Sequence, residues 1–372
     1  MQGASDKILG GKPSVKVCIA QLSPAFMNQK ESVRRAVNAI AEAGKKGAEL
    51  VVFPEAWLSG YPYWTEGWDT GLRQWAGGRI RFYDEAVLVP GPVTELIGAA
   101  AKAAGTCVVI GCNEMDSRPG VNTIYNTLLF FDNRGNLLGR HRKLMPTFTE
   151  RMFWGAGDGS DLEVYQTGIG RIGGLICGEN LMTPLRAGMI AMGEDFHIAV
   201  FPGAFALHTG PRLEEWDTTG DFWGHFVTRS HAFEAGCFTV AACAVVNPDD
   251  VPDDFPWKGN MNIDYARGGS QIVTPLGVVS APPAEGEQMI YADCEAWMIK
   301  AVKAIVDTMG HYSRPDVARV MLRKSDVWAQ AGVPYRGGAL DPALLEHNAD
   351  LQEVEHDKVL EVAEQQKLAI GH

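Results

Sequence analysis

The chain lacks the features that mark several classes of protein. It contains no Cys-x-x-Cys pair, and its seven cysteines form an odd, irregularly spaced set, so we expect neither a disulfide framework nor a structural zinc site. Its nine histidines show no spacing typical of metal ligands. The N-terminus has no basic flank with an apolar segment, and no apolar run is long enough to cross a membrane. These absences predict a metal-free, reduced protein in the cytoplasm.

An excess of positive charge is also missing. Lysine and arginine number 33 against 45 aspartates and glutamates, which gives a formal net charge of -12. Such a surface repels nucleic-acid phosphates and anionic lipid. We therefore expect no nucleic-acid or membrane partner.

The chain has no long linker, internal repeat or low-complexity segment. Its 372 residues, 46% of them hydrophobic, suffice for a large core. We expect one domain over residues 1–310, followed by a C-terminal extension over residues 311–372 that serves as an interface or a tail.

Short apolar runs rich in Val and Ile alternate with segments of helical periodicity. This order predicts an α/β fold with mixed sheets. The predicted strands cover residues 15–21, 49–55, 106–111, 127–132, 137–141, 171–177, 198–201, 238–245, 270–274 and 289–293. The predicted helices cover residues 93–104 and 222–235, a segment with Val33, Val37 and Ile40 on one face, and a segment that starts at Thr183-Pro184.

Three residues with catalytic chemistry follow or end predicted strands. Glu55 ends one apolar run, Lys143 follows the hairpin strand, and Cys177 ends another run before a turn. Ligand sites of open α/β sheets gather at the carboxyl ends of strands. A thiol needs a base or a nearby cation to react at neutral pH. We therefore expect Glu55 to accept the thiol proton and Lys143 to stabilise negative charge.

Other interpretations exist for each residue taken alone. A cysteine in a strand is usually a small buried apolar residue. Glu55 alone also fits a capping role, and Lys143 alone fits an exposed surface position. His141, two residues before Lys143, is an alternative base for a Cys–His enzyme, although alternation along the strand does not establish contact with Cys177.

Several motifs in order resemble the nitrilase branch of the carbon–nitrogen hydrolase superfamily. They are Phe-Pro-Glu55 with Trp57-Leu-Ser-Gly-Tyr-Pro, His-Arg-Lys143-Leu-Met-Pro-Thr with Glu150-Arg, Cys177-Gly-Glu-Asn, and Gly310-His-Tyr-Ser-Arg-Pro-Asp. The similarity spans about residues 14–320. It implies a four-layer αββα sandwich and a Glu–Lys–Cys triad that needs no cofactor.

The resemblance also implies a role for each residue. Glu55 would be the general base and acid, Lys143 the stabiliser of the tetrahedral intermediate, and Cys177 the nucleophile. Glu150 would position the lysine and the substrate nitrogen, and the backbone N–H of Gly178 would help to hold developing charge. The implied reaction converts a small-molecule nitrile to a carboxylic acid and ammonia. An amidase, an N-carbamoyl hydrolase or a nitrile-hydrating enzyme with the same triad is the alternative.

One departure from the family concerns the pocket. Nitrilases commonly carry Trp after the cysteine, whereas this chain has Gly178. Aromatic residues that follow the motifs are candidate pocket residues, with ordinary packing as the alternative: Trp57, Tyr61, Trp154 and Phe205. Family members also associate through the helix after the cysteine, so we expect a homodimer or a larger homo-oligomer or spiral. Here that helix would span residues 184–192, with Leu185, Met189 and Ile190 as its apolar positions.

Overall fold

The strands and helices alternate along the chain as the sequence predicts. The computed structural model describes residues 7–66, 72–204 and 222–325. The strands are β1 (Ser14–Gln21), β2 (Leu50–Val52), β3 (Val87–Leu88), β4 (Cys107–Met115), β5 (Ile124–Phe131), β6 (Leu137–Arg142), β7 (Tyr165–Thr167), β8 (Gly170–Ile176), β9 (Phe196–Phe201), β10 (Phe238–Cys243), β11 (Gln271–Val273), β12 (Val279–Ala281) and β13 (Gln288–Glu295). The helices are α1 (Gln29–Lys45), α2 (Leu72–Asp84), α3 (Pro92–Ala104), α4 (Thr183–Met192), α5 (Trp223–Ala235) and α6 (Ala296–Ile305).

The strands form two mixed sheets. In the first sheet the order is β13-β1-β2-β4-β5-β6, with β3 paired to β4. Strands β1, β2 and β4 are parallel, and the β4–β5 and β5–β6 pairs are antiparallel. Strand β6 therefore runs in the same direction as β2, and both end at the same edge. In the second sheet the order is β12-β11-β10-β9-β8-β7, with β8, β9 and β10 parallel.

The two sheets pack face to face, with helices on their outer faces. Side chains of β1 and β2 share one apolar cluster with those of β9 and β10, so the main core lies between the sheets. A second cluster joins the other face of the first sheet to α1 and α3. Leu175 of β8 packs against α4, and α5 lies against β10. This is the expected αββα arrangement.

Local sequence signals place the helix ends. The side chain of Asn28 accepts a hydrogen bond from the N–H of Glu31 and caps α1. Helix α3 starts at Pro92 and is followed by Gly105 in the left-handed conformation. Helix α4 starts at Thr183, with Pro184 in its first turn.

The strand predicted over residues 49–55 is corrected in the structure. Strand β2 ends at Val52, and Glu55 lies in the turn that follows. Proline has no N–H to donate to a strand ladder, so Pro54 favours leaving the strand here. Strand β10 ends at Cys243, and β4 continues to Met115, beyond its predicted end.

The predicted contact face of α4 is also corrected. Leu185 and Met189 are buried within their own chain, where they pack against Leu175 and Leu322. They are therefore core residues, and only Ile190 of the three predicted positions remains partly exposed.

The first part of the C-terminal extension lies against the body of the protein. Residues 311–325 contain no helix or strand, and Leu322 packs on α4. Lys324 forms an ion pair of 2.8 Å with Glu163. Among the described residues, no helix is both long and apolar enough to cross a membrane.

Candidate active site

Both sheets contribute to the site. Glu55 follows β2 and Lys143 follows β6, at the same edge of the first sheet, whereas Cys177 follows β8 of the second sheet. All three side chains are buried: the residues are 1%, 1% and 3% exposed. The sequence predicted three strand ends, and the structure shows that they come from two facing sheets.

Close backbone packing places Glu55. Its turn lies on β4, where the N–H of Leu58 donates to the carbonyl of Gly111 at 2.9 Å. A Cβ at Gly111 would lie 2.4 Å from the carbonyl oxygen of Pro54, so only glycine fits under this turn. Lys143 is placed by the hairpin, because its N–H donates to the carbonyl of Asn126 at 2.8 Å.

Lys143 lies between two carboxylates. Its Nζ is 2.9 Å from Oε1 of Glu55 and 2.8 Å from Oε2 of Glu150. Burial alone would lower the pKa of Lys143, but Glu150 and then Glu55 raise it well above the usual value. The ammonium group therefore stays charged at neutral pH.

Glu55 has one oxygen in use and one available. Its Oε1 accepts hydrogen bonds from Lys143 and from Nδ2 of Asn126, the latter at 2.7 Å. Its Oε2 is buried and has no hydrogen-bond partner among the described residues. Burial, opposed by Lys143 and reinforced by Glu150, raises the pKa of Glu55 to about 7. A carboxyl group with this pKa can both accept and return a proton near neutral pH.

Glu150 is held on three sides. It lies in the short helix Phe148–Met152, and its Oε2 accepts from the N–H of Thr147 at 2.6 Å as well as from Lys143. Its Oε1 accepts from the hydroxyl of Tyr61 at 2.7 Å. These contacts fix the carboxylate that orients the lysine.

Cys177 occupies a sharp turn between β8 and a short helix, Cys177–Leu181. Its φ of 49° is in the left-handed region, which non-glycine residues seldom adopt. Burial and the Glu55 carboxylate raise the pKa of the thiol well above its usual value, although Lys143 and the N–H of Gly178 oppose them. The resting thiol is therefore protonated and needs a base.

His141, the alternative base, is bound elsewhere. Its Nε2 lies 2.9 Å from Oε2 of Glu179. Glu179 also accepts from the N–H of Ile176 at 2.8 Å and of Leu144 at 2.7 Å. It therefore ties the backbone before Cys177 to the backbone after Lys143, a contact that sequence reasoning missed.

The predicted pocket residues fall into different places. The ring of Trp154 lies 5.4 Å from that of Tyr61 and 5.9 Å from Nζ of Lys143, so both aromatic residues adjoin the charged groups. Trp57 instead packs on Phe53 in the core under α1 and α3, which favours a packing role. Phe205 lies outside the described residues.

Gly178 is partly exposed, unlike the buried residues on either side of it. A Cβ at this position would meet only Oγ1 of Thr147, at 3.2 Å, within 4 Å. Among the described residues, a side chain at this position would therefore first meet the hydroxyl of Thr147, next to Cys177.

One further cluster was not visible from sequence spacing. Glu194, His231 and Cys237 bring one potential metal-ligand atom each to within 4.8 Å of the others. Glu194 already accepts hydrogen bonds from His231 and His197. A cation would have to replace those protons, so hydrogen bonding accounts for this group of side chains.

The fold and the site together define a four-layer αββα protein in which a carboxylate, a lysine and a thiol lie close together where two sheets face each other. The carbon-nitrogen hydrolase family model matches residues 16–304. The chain belongs to this family, and its relatives place it in the nitrilase branch.

Curated relatives and solved structures agree on this placement. A nitrilase named Nitrilase 2, from an unknown prokaryotic organism, is 35% identical over 90% of this chain and 99% of its own length. A nitrilase of Bradyrhizobium diazoefficiens is 38% identical over 82% of this chain and 91% of its own length. The crystal structure of Saccharomyces cerevisiae Nit3, described as a member of branch 10 of the nitrilase superfamily, matches with a TM-score of 0.63 and 25% identity, over 82% of this chain and 98% of that one.

Proposed function

We propose that this protein is a nitrilase that hydrolyses an organic nitrile to a carboxylic acid and ammonia through covalent intermediates on Cys177. The observation that carries the proposal is the buried cluster of Glu55, Lys143 and Glu150, in which one carboxylate oxygen of Glu55 is free to take a proton. Relatives named nitrilases at 35–38% identity support the same reaction.

In the first stage Sγ of Cys177 attacks the nitrile carbon. The new C–S bond forms as Glu55 takes the thiol proton and passes it to the nitrile nitrogen, which gives a thioimidate. Lys143 and the N–H of Gly178 stabilise negative charge that develops in the transition state.

In the second stage Glu55 activates water. Water adds to the thioimidate carbon as Glu55 takes one of its protons and passes it to the nitrogen, which gives a tetrahedral intermediate with a hydroxyl and an amino group. Glu55 then takes the hydroxyl proton and gives it to the amino group, the C–N bond breaks, ammonia leaves, and a thioester carbonyl forms. The resulting thioester is hydrolysed by a second water, the C–S bond breaks, and the thiol regains its proton. If the C–S bond breaks before ammonia leaves, the product is an amide. A relative from Nicotiana tabacum is named a bifunctional nitrilase/nitrile hydratase, and it is 36% identical over 84% of this chain and 86% of its own length.

The substrate pocket lies beside Tyr61, Trp154 and Gly178 in this proposal, with Phe205 as a further candidate. The space next to Gly178 would take a substituent that a tryptophan there would exclude. Gly178→Trp should therefore lower kcat/KM for bulky nitriles more than for small ones. Gly178→Ala should change the ratio of these two kcat/KM values little. An equal loss for both sizes would contradict this placement.

A panel of nitriles, amides and N-carbamoyl amino acids tests the reaction class. We expect the protein to release ammonia and a carboxylic acid from a nitrile. Mass spectrometry should detect a thioester adduct on Cys177, and Cys177→Ala should show no turnover. If the protein turns over amides or N-carbamoyl amino acids but no nitrile, it is an amidase or an N-carbamoyl hydrolase instead. Turnover retained by Cys177→Ala would remove Cys177 as the nucleophile.

We further propose a homo-oligomer and a cytoplasmic location. Helix α5 exposes Phe226 and Phe233, two turns apart on one face, and Leu181 and Met182 are exposed just before α4. This apolar surface, rather than Leu185 and Met189, would contact a second copy. Phe226→Lys should reduce the mass measured by light scattering.

All seven cysteines are unpaired, which suits a reducing compartment.

A further inference from the structure

A chain of buried polar side chains lies behind the nucleophile and has no part in the reaction described above. Nδ2 of Asn180 donates to the carbonyl oxygen of Cys177 at 3.1 Å. Oδ1 of Asn180 is 3.0 Å from Nε2 of His197, and Nδ1 of His197 is 2.9 Å from Oε1 of Glu194. Asn180, His197 and Glu194 are each at most 1% exposed.

The hydrogen-bond partners determine which way the Asn180 amide points. Its Nδ2 faces two carbonyl oxygens, those of Cys177 and Leu175, the second at 3.3 Å. An amide oxygen in that place would face two other oxygens with no proton between them. The Oδ1 atom must therefore face His197, which has to donate from Nε2.

The other nitrogen of His197 also faces acceptors. Nδ1 lies 2.9 and 3.0 Å from the two oxygens of Glu194. Burial alone would raise the pKa of Glu194, but His197 and then His231 lower it to about 2, so the carboxylate is ionised. The ring of His197 thus lies between the amide oxygen of Asn180 and the carboxylate of Glu194.

The neighbouring histidine behaves differently. His231 of α5 stacks on His197 with ring centroids 3.7 Å apart, and its Nε2 donates to Glu194 at 2.9 Å. Burial, reinforced by His197, lowers the pKa of His231 to about 4. Its Nδ1 has no partner among the described residues, as expected for a neutral ring. The remaining ionisable neighbours of this pair are Arg186 of α4 and Cys237.

The strands on both sides of His197 leave room for this arrangement. His197 pairs in register with Gly173 of β8 and Thr239 of β10. A Cβ at Gly173 would lie 2.2 Å from Oε1 of Glu194, so a larger residue there would displace the carboxylate.

Asn180, the member of this row of side chains nearest to Cys177, acts on a single peptide group. The carbonyl of Cys177 and the N–H of Gly178 belong to the same planar trans peptide, so they point in opposite directions. Holding the carbonyl toward Asn180 directs the N–H the other way, and this N–H hydrogen-bonds the Cys177 sulfur.

We propose that Asn180, His197 and Glu194 are positioning residues, in which His197, held by Glu194, orients Asn180 so that the Cys177–Gly178 peptide presents its N–H to the nucleophile and to the developing negative charge. The proposal rests on Cys177 being the nucleophile. It explains how Cys177 keeps its left-handed backbone in a turn that must also supply a hydrogen-bond donor.

Variants of Asn180 test this role. Asn180→Leu keeps the size of the side chain but cannot hold the carbonyl, and Asn180→Asp keeps the shape but offers oxygen instead of Nδ2–H. We expect kcat to fall about 10- to 100-fold, somewhat less than the loss of a whole oxyanion donor, with KM within about threefold. The rate of Cys177 alkylation by iodoacetamide at a fixed pH of about 8 should fall about tenfold, because the thiolate loses a donor. Rates measured on Cys177→Ala are subtracted to isolate this thiol.

The matched control is His231→Gln, which replaces another buried side chain of the same network but does not touch Asn180. It should leave kcat and the alkylation rate within about twofold, because the glutamine amide can still donate to Glu194. Circular dichroism establishes that each variant is folded. If folded Asn180 variants match the control, the proposal is wrong, whereas retained turnover by Cys177→Ala would contradict the proposed function instead.

Discussion

Two buried charge clusters lie side by side on the β5–β6 hairpin and contain the same kinds of groups in opposite proportions. In the first, which we propose to be catalytic and call the catalytic cluster, the cation of Lys143 lies between the carboxylates of Glu55 and Glu150. In the arginine cluster the carboxylate of Glu114 lies between Arg140 and Arg142, with a closest distance of 2.6 Å to each. Counted over these three groups each, the first cluster has surplus negative charge and the second surplus positive charge, which Asp161, 3.8 Å from Nε of Arg140, partly offsets.

Alternation along the strands separates the two clusters. Neighbouring residues of β5 point to opposite faces. Asn126 therefore donates to Glu55 while Thr127 donates to Glu114. Arg142 and Lys143, consecutive in the chain, are divided in the same way.

The two glutamates show what the proportions do. Both are buried, and burial alone raises the pKa of a carboxyl group. In Glu114 the two arginines overcome burial and lower the pKa, whereas in Glu55 burial prevails and the pKa is about 7. Both oxygens of Glu114 are hydrogen-bonded, but Oε2 of Glu55 has no hydrogen-bond partner in the part of the chain that the structure describes. A carboxylate whose two oxygens both have hydrogen-bond partners stabilises the fold, whereas one with an oxygen that lacks a partner can exchange a proton.

The strongest test of this contrast is Glu55→Gln. The amide keeps the shape and can still accept from Lys143, but it cannot take a proton. We expect kcat to fall about 10²- to 10⁴-fold, the usual contribution of a general base, with the melting temperature unchanged or raised. Initial rates and thermal melts measure the two effects. A variant that retains kcat would show that Glu55 is not the base.

Glu114→Gln should have the opposite outcome. Removing one partner of a buried ion pair leaves uncompensated charge, here two arginines, and costs about 3–5 kcal/mol in the free energy of unfolding. Denaturant titration measures this loss, and the m-value shows whether the folded state is otherwise intact. At a temperature where the variant is folded, kcat should remain within a few-fold. A large loss of kcat without a loss of stability would erase the distinction between the clusters.

The pH dependence should separate the same two groups. The base must be ionised to act, so kcat/KM should fall as pH drops through about 7, the pKa of Glu55. The folded pKa of Glu55 is raised, so its contribution to stability is greatest below about pH 4, near the unfolded pKa, and is lost as pH rises toward 7. The folded pKa of Glu114 is lowered, so its contribution is present above about pH 4 and is lost in acid. Melting temperatures of Glu55→Gln and Glu114→Gln across pH 3–8 should deviate from the parent with opposite slopes, and parallel curves would contradict this assignment.

The sequence was sufficient for the parts of the site that lie next to a strand end. The apolar runs before Glu55, Lys143 and Cys177 predict buried strands, and their ends bring the residues to one place. Most helices follow from periodicity and capping residues. Helices α2 and α6 were not predicted. In α2, Gly77 and Gly78 lie within the helix and weaken the helical pattern.

The missed contacts join distant segments. Tyr61 and Glu150 are 89 positions apart, and no local pattern pairs them. The link from Asn180 to His197 also depends on the turn after β8, whose left-handed Cys177 is not encoded by a glycine. A partial signal existed for the arginine cluster, since Arg140, His141 and Arg142 are consecutive charged or polar residues in a strand that needs buried partners.

The smallest expected effect within the catalytic cluster concerns Tyr61→Phe. The phenol donates to Oε1 of Glu150, whose Oε2 is also held by the N–H of Thr147 and by Lys143. The variant loses one hydrogen bond to a charged group, which is worth about 1.5–3 kcal/mol. Because the other contacts of Glu150 remain, we expect part of this loss to appear in the free energy of unfolding and part in the activation free energy. The expected fall in kcat is about three- to tenfold, and denaturant titration measures the remainder. A fall as large as that of Glu55→Gln would show that Glu150 depends on this single phenol, and that the surplus carboxylate is less firmly held than its three contacts indicate.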